Sequence, residues 1–314
     1  MIYVGVDVGG MSIKIGLVSS DGKILLSKAF ATEQEKGFKS MFARTADMIN
    51  ELIAEGGYSL IDLGGIGIGI PGTVDSKKGM IVSAVNIGCK NETLVGEMSQ
   101  YFNVPIAVGN DANMAALGEQ RFGAGKGHEN VVMVTLGTGI GGGIIIDGKL
   151  YEGNGGAGGE VGHQIIRIDG EKCNCGRLGC WERYASATGL INQTKHAMAE
   201  NANSLMHKIA NENGGVDGRT AFLAMDAGDQ AGKEVCEQYI HYLTEGLLNL
   251  GYILHPEMFI IGGGISHEGK NVMEPLRQKL NESLELSGML PYIEVVQASL
   301  GNSAGIIGAA ALVM

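Results

Sequence analysis

The chain has 314 residues, 45% of them hydrophobic, and a formal net charge of −11. That length suffices for a sizeable core and two domains, whereas the acidic balance excludes a surface built to neutralise nucleic-acid phosphates. No run of about eighteen apolar residues occurs, so no membrane span is expected; the N-terminal stretch lacks the basic region of a signal peptide, the five cysteines make no disulfide framework, and the expected compartment is the cytoplasm.

Ile2 to Asp7 reads as a first strand ending at Asp7-Val8-Gly9-Gly10, and Ile13 to Val18 and Lys23 to Ser27 continue as strands around an Asp21-Gly22 turn. A turn of bare N–H groups beside a carboxylate suits a phosphate with its magnesium, and an ordinary hairpin is equally compatible. Phe38 to Gly56 has a helical stripe of Met41, Phe42, Thr45, Met48, Ile49, Leu52 and Ile53, with the methionines read as core. Ile66 to Ile70 is a buried strand stopped by Pro71-Gly72, which taken alone is a type II turn. Ala107 to Gly109 ends another strand and Ala112 to Arg121 has helical composition, so Asp111 falls at a strand-to-helix junction. There the residues alone favour Asp111 as a helix N-cap over a catalytic group.

Val131 to Leu136 is an apolar strand followed by Gly137-Thr138-Gly139-Ile140-Gly141-Gly142-Gly143. This run contains G-x-G-x-x-G, but a hairpin over Ile144 to Tyr151 follows where the dinucleotide fingerprint would need a helix. A phosphate turn is favoured over a tight hairpin, because so many glycines are otherwise costly. Trp181 to Ala199, Ser204 to Asn211, Thr220 to Ala227 and Asp229 to Leu254 read as helices, the last with Val235, Tyr239, Tyr242, Leu243, Leu247, Leu250 and Leu254 inward. Met258 to Ile261 is a strand running into Gly262-Gly263-Gly264; helix over Lys270 to Ser287, strand over Ile293 to Ala298 and a small-residue helix over Ser303 to Val313 complete an alternating α/β pattern. The final helix is expected to return to the first domain. Cys236 is read as packing, and His196, His207, His241 and His267 lack partner spacing.

One stretch carries more chemistry than the rest. His163, Cys173, Cys175 and Cys180 lie within eighteen residues, and Glu160 and Glu182 bracket them. Three thiolates and an imidazole are the donors tetrahedral zinc prefers, and with four protein ligands no position is left for water, so the site reads as structural. A Cys173–Cys175 disulfide and free thiols are the alternatives. Gly176 and Gly179 would allow the tight turn between Cys175 and Cys180. Ordering this loop would fix both glutamates, and a metal-bound histidine keeps a second ring nitrogen to offer.

Glu160-x-Gly162-His163 followed by Cys173-x-Cys175-Gly176-x-x-Gly179-Cys180-x-Glu182 resembles the signature of the ROK family of sugar kinases and sugar-responsive repressors. The resemblance implies an α/β fold of the two-domain, actin-like ATPase (ribonuclease-H-like) kind with an interdomain cleft, and boundaries of 1–115 plus 301–314 for a small lobe and 116–300 for a larger lobe with the zinc loop and dimerisation helices. It implies that Glu160, His163 and Glu182 hold sugar while His163, Cys173, Cys175 and Cys180 hold zinc. Gly72, Thr73 and Asn86 would lie at the sugar, Asn110 would hold a neighbouring hydroxyl, and Asp111 of Asn110-Asp111-Ala112-Asn113 would be the general base. Asp7, Gly9, Gly10, Met11, Ser12 and Lys14 match the first phosphate loop of the actin-like ATPases, with Met11 where Thr is usual and Ser12 able to substitute. Gly137, Thr138 and Gly139 would form the second phosphate loop, and Gly263 and Gly264 would face adenosine.

The implied activity is ATP- and Mg²⁺-dependent phosphorylation of glucose at its C6 hydroxyl, with Zn²⁺ structural and the chain a homodimer or tetramer acting on a small hexose. Kinases for N-acetylmannosamine, N-acetylglucosamine or another hexose are the alternatives, discriminated around Gly72, Thr73 and Cys89; relatives acting on glucose often carry Trp near Cys89. A repressor-type sensor would carry a helix-turn-helix ahead of the first strand, where none is read.

Overall fold

The computed structural model describes residues 1–288 and 291–314. The chain divides into two units, one of residues 1–133, 143–159 and 298–314 and the other of residues 134–142 and 160–297.

The first unit is built on β1 (Ile2–Val8), β2 (Ser12–Ser19) and β3 (Ile24–Ala31), an antiparallel meander, followed by α1 (Phe38–Glu55) and β4 (Leu63–Ile70). A small antiparallel sheet of β5 (Thr73–Asp75), β6 (Met80–Ala84) and β7 (Cys89–Glu92) comes next, then α2 (Leu94–Met98), β8 (Ile106–Asn110) and α3 (Asp111–Phe122). The main sheet has the order β3-β2-β1-β4-β8, with β1, β4 and β8 parallel. Parallel neighbours bring their carboxyl ends to one edge, which is where α/β sheets place ligands. Asp7, Ile70 and Asn110 end or nearly end those three strands. The small sheet and α2 escaped sequence reading, because strands this short show too few alternations.

Along α1 the expected stripe is buried except for Met48, which is partly buried against the same core. Glycines in β1 and β4 have a packing reason. A side chain at Gly67 would lie 1.7 Å from the carbonyl oxygen of Ala309, and one at Gly5 1.9 Å from that of Ile306. Both carbonyls belong to the last helix (Ala304–Ala311), so its backbone sits directly on the sheet as its small residues allow. Gly308 in that helix likewise lies against the Met114 carbonyl of α3.

β9 (Val131–Leu136), β10 (Ile140–Ile146) and β11 (Lys149–Leu150) follow, and the second five-stranded sheet has the order β11-β10-β9-β12-β13. The second unit carries α4 (Glu182–Ala185), α5 (Ala187–Glu200), α6 (Leu205–Glu212), α7 (Thr220–Asp226), α8 (Gln230–Leu254), β12 (Met258–Gly262), α9 (Glu274–Ser287) and β13 (Glu294–Gln297); the last helix is α10. The single helix expected over Trp181 to Ala199 is two, because Ser186 is extended and caps α5 by accepting from the Gly189 N–H. The helix expected from Lys270 opens as a π-helical turn over Gly269–Met273 and becomes regular at Glu274.

Candidate active site

In the first unit the strand ends assemble a polar group. Asn110, not Asp111, caps α3: its Oδ1 accepts from the N–H groups of Ala112 and Asn113 at 2.9 and 3.1 Å. The capping role that residue type alone favours for Asp111 is therefore filled by its neighbour, and Asp111 occupies the first helical turn, its Oδ1 accepting from the Ala112 N–H at 2.8 Å. Asn110 also donates from Nδ2 to the Gly72 carbonyl at 2.9 Å, tying the end of β8 to the turn after β4. An amide has two N–H donors, so one remains for a ligand hydroxyl. Gly72 has φ +96°, and a side chain there would lie 2.3 Å from the Ser83 carbonyl oxygen; Thr73 begins β5 beside Ser83.

Asp7 lies 3.6 Å from Lys14 across the β1–β2 pair. Burial raises the Asp7 carboxyl above its ordinary value, and the Lys14 ammonium opposes that rise. The connecting turn is closed by the Gly9 N–H to the Ser12 carbonyl at 2.9 Å and fastened by Thr32, whose hydroxyl donates to the Gly9 carbonyl at 2.6 Å. Thr32 was not singled out in the sequence, and only tertiary contact marks it. Met11 is 90% exposed at the tip and Ser12 begins β2. A side chain at Gly10 would sit 3.4 Å from the Asn86 carbonyl oxygen, so the phosphate-type turn and exposed Asn86 are neighbours. A partly buried carboxylate oxygen is a hard donor of the kind magnesium takes, and Asp7 fits that role.

The second unit gathers the remaining residues. The glycine turn is shorter than expected: Gly137 to Gly139 form it, with Thr138 exposed at its tip, and Ile140 to Gly143 already belong to β10. Its Gly137 carbonyl accepts from the Ala187 N–H at 2.9 Å, and a side chain at Gly139 would lie 2.6 Å from Glu182 Oε2. The turn and Glu182 are thus in direct contact. Gly162 is pressed against the Ile140 carbonyl, seating the short 3-10 turn of Val161–His163 against β10, and Gly263, at φ +89°, is pressed against the backbone of Leu136; Gly264 follows in open space.

The ligating atoms of His163, Cys173, Cys175 and Cys180 all lie within 4.8 Å of one another. Cys175 Sγ is 3.5 Å from Cys180 Sγ, and Cys173 Sγ is 3.7 Å from His163 Nδ1. A tetrahedral zinc with bonds of about 2.3 Å to sulfur has edges of roughly 3.8 Å, so the donor set fits the ion. All five cysteines are free thiols, which removes the disulfide alternative. Burial, with the Glu182 carboxylate second, pushes the Cys173 thiol up to about 12, whereas the Arg177 N–H at Cys175 lowers that thiol. Glu182 Oε1 lies 3.0 Å from Cys173 Sγ and 3.6 Å from His163 Nδ1. Gly179 has φ +78° and no room for a side chain against the Arg167 carbonyl; Gly176, at φ +92°, needs glycine for conformation alone. Trp181, unremarked in sequence, fastens the loop: it is fully buried, donates from Nε1 to the Tyr242 carbonyl at 2.7 Å, and lies where a side chain at Gly246 would be.

Among the described residues no helix is long and apolar enough to cross a membrane. The family model described as "ROK family" matches residues 3–314. A glucokinase of Halalkalibacterium halodurans is 37% identical over 312 residues, covering 99% of this chain and 94% of that protein. A xylose repressor of Caldicellulosiruptor bescii is 31% identical, covering 99% of this chain and 77% of that protein. Among solved structures, a ROK family glucokinase from Streptomyces griseus in complex with glucose and AMPPNP superposes with a TM-score of 0.79 at 35% identity over 99% of both chains. This chain belongs to the ROK family, with its two-domain actin-like ATPase fold.

Proposed function

We propose that this chain is an ATP-dependent sugar kinase, a glucokinase, transferring the terminal phosphoryl group of ATP to the C6 hydroxyl of glucose. The observation that carries the assignment is the division of labour at α3: Asn110 supplies the cap, so Asp111 is not needed to begin the helix. Relatives described as glucokinases match this chain over nearly its whole length.

In this reading Asp111 accepts the proton of the C6 hydroxyl as its oxygen attacks phosphorus, a role worth about 10²–10⁴ in rate. Asn110 gives its second Nδ2 hydrogen to an adjacent hydroxyl. Asn86, Gly72, Thr73, Glu160, His163 and Glu182 orient the ring, and the contact of Gly139 with Glu182 supports coupling between the sugar and the phosphate turn. Backbone N–H groups of Gly9 to Ser12 and Gly137 to Gly139, with Lys14, hold the phosphates, while Gly263 and Gly264 face the adenosine. Asp7 would hold Mg²⁺, which when bound screens the phosphate charge. His163, Cys173, Cys175 and Cys180 would hold Zn²⁺, which orders the loop. Catalysis here is positioning and electrostatics, since phosphoryl transfer asks little covalent chemistry of the protein. Exclusion of water from the bound substrates would protect the transferred phosphoryl group, and the chain would act as a cytoplasmic homodimer.

The test is ADP release with Mg-ATP against glucose, mannose, fructose, allose, N-acetylmannosamine and N-acetylglucosamine, with Asp111→Asn as control. Fastest turnover on glucose, lost in the control, is the expected result. Preference for an acetylated sugar would keep the mechanism and replace the substrate. Binding of sugar without turnover on any would overturn the kinase in favour of a sensor.

A further inference from the structure

The turn that joins β1 to β2 contains adjacent glycines, Gly9 and Gly10, so its own residues restrict its peptide groups very little. Two of its carbonyls are held instead by one residue outside it. Thr32 follows β3 and is fully buried. Its hydroxyl donates to the Gly9 carbonyl at 2.6 Å, and its backbone N–H donates to the Met11 carbonyl at 3.0 Å. A trans peptide is planar, with its N–H directed opposite to its C=O. Holding those two carbonyls toward Thr32 therefore turns the N–H groups of Gly10 and Ser12 away from it. Backbone N–H groups presented together on one side of a turn are the arrangement that takes an anion.

Thr32 is itself held from α1. Arg44 donates from Nη2 to the Thr32 carbonyl at 2.7 Å and from Nη1 to the Ala31 carbonyl at 3.2 Å. Its guanidinium lies 5.5 Å from the centroid of the Phe30 ring and pairs with Glu33, which turns the chain away at φ +49°. A planar guanidinium holds several acceptors in one fixed geometry. Here it fixes the end of β3, so the N–H, hydroxyl and carbonyl of Thr32 all have a partner. We infer that Thr32 is a positioning residue for the phosphates of the nucleotide, with Arg44 as its support. This rests on the kinase reading, in which Gly9 to Ser12 hold phosphate, and adds that β3 and α1 preorganise those donors. A turn already held in its binding geometry needs less ordering when the ligand arrives. Loss of the Thr32 hydroxyl should therefore weaken nucleotide and leave sugar alone, because none of the groups it holds is assigned to glucose.

The experiment is calorimetric titration of Mg-ADP, and separately of glucose, into the full-length wild type, Thr32→Val, Thr32→Ser and Arg44→Met, with KM for Mg-ATP measured beside it. Valine keeps the shape and the backbone N–H of Thr32 and removes only the hydroxyl. The expected result is Mg-ADP binding weakened about 5–10-fold in Thr32→Val, KM for Mg-ATP raised alike, and glucose affinity unchanged. Thr32→Ser, which restores the hydroxyl, should return both nucleotide values to those of the wild type. Arg44→Met should show the same selectivity at about 2–5-fold, and carries the test should Thr32→Val fail to fold. Wild-type affinity for Mg-ADP in the folded variants would overturn the inference, as would equal weakening of Mg-ADP and glucose, which marks general loss of structure. Failure of the kinase reading alone is seen separately, as this pattern of Mg-ADP binding without ADP release on any sugar; a wild type that binds no Mg-ADP would overturn both.

Discussion

The two units hold their candidate residues by opposite means. In the first, Asp7, Gly72, Asn110 and Asp111 are held by a parallel sheet whose strand ends coincide, so hydrogen-bonded register fixes them. In the second, Glu160, His163 and Glu182 lie on short turns, fixed by a four-donor cluster, by Trp181 on α8, and by glycines that let backbones touch. A sheet holds residues by many weak bonds and tolerates the loss of one. The turn assembly rests on few points, each of which matters more.

That contrast can be broken first by removing metal. Structural zinc contributes on the order of 10 kcal/mol to local folding, so chelation should abolish glucose binding while the first unit keeps its amide-exchange protection; full activity in a zinc-free sample would defeat the comparison. Next in size, Asp111→Asn should cut kcat about 10²–10⁴-fold with KM for glucose and the melting temperature little changed, and a parallel loss of stability would mean that Asp111 has a structural role. Gly67→Val should destabilise the first unit by several kcal/mol, roughly 3 or more, because the new side chain meets the Ala309 carbonyl. Denaturant titration checks this, and an unchanged midpoint would show that α10 can move off the sheet.

The smallest effect concerns the start of α8. Burial alone would raise the Asp229 carboxyl, but N–H donors from Gly232 and Leu205, both at 2.7 Å, and the Ser204 hydroxyl at 3.0 Å outweigh it and hold it below its ordinary value. A depressed carboxyl contributes stability above its unfolded value near 3.8 that is lost as pH falls through the folded one. Asp229→Ala should cost about 1 kcal/mol at neutral pH and nothing in strong acid. Equal destabilisation at both pH values would point to packing rather than charge.

The sequence by itself determined the parts whose chemistry is local. Four soft ligands within eighteen residues, flanking carboxylates, strands running into glycines and a small-residue final helix are all patterns of neighbouring residues, and the structure carries each of them. Only the tertiary structure decided which of Asn110 and Asp111 caps α3, because both types can cap and the choice depends on the Gly72 carbonyl, thirty-eight positions away. It decided that Gly143 serves packing against Ala116 rather than a phosphate turn, that Ser186 divides a helix, and that Thr32 and Trp181 fasten the two turns. The physical reason is common to all: a side chain's capacity is written in its chemistry, but its use is set by the partner the fold brings to it.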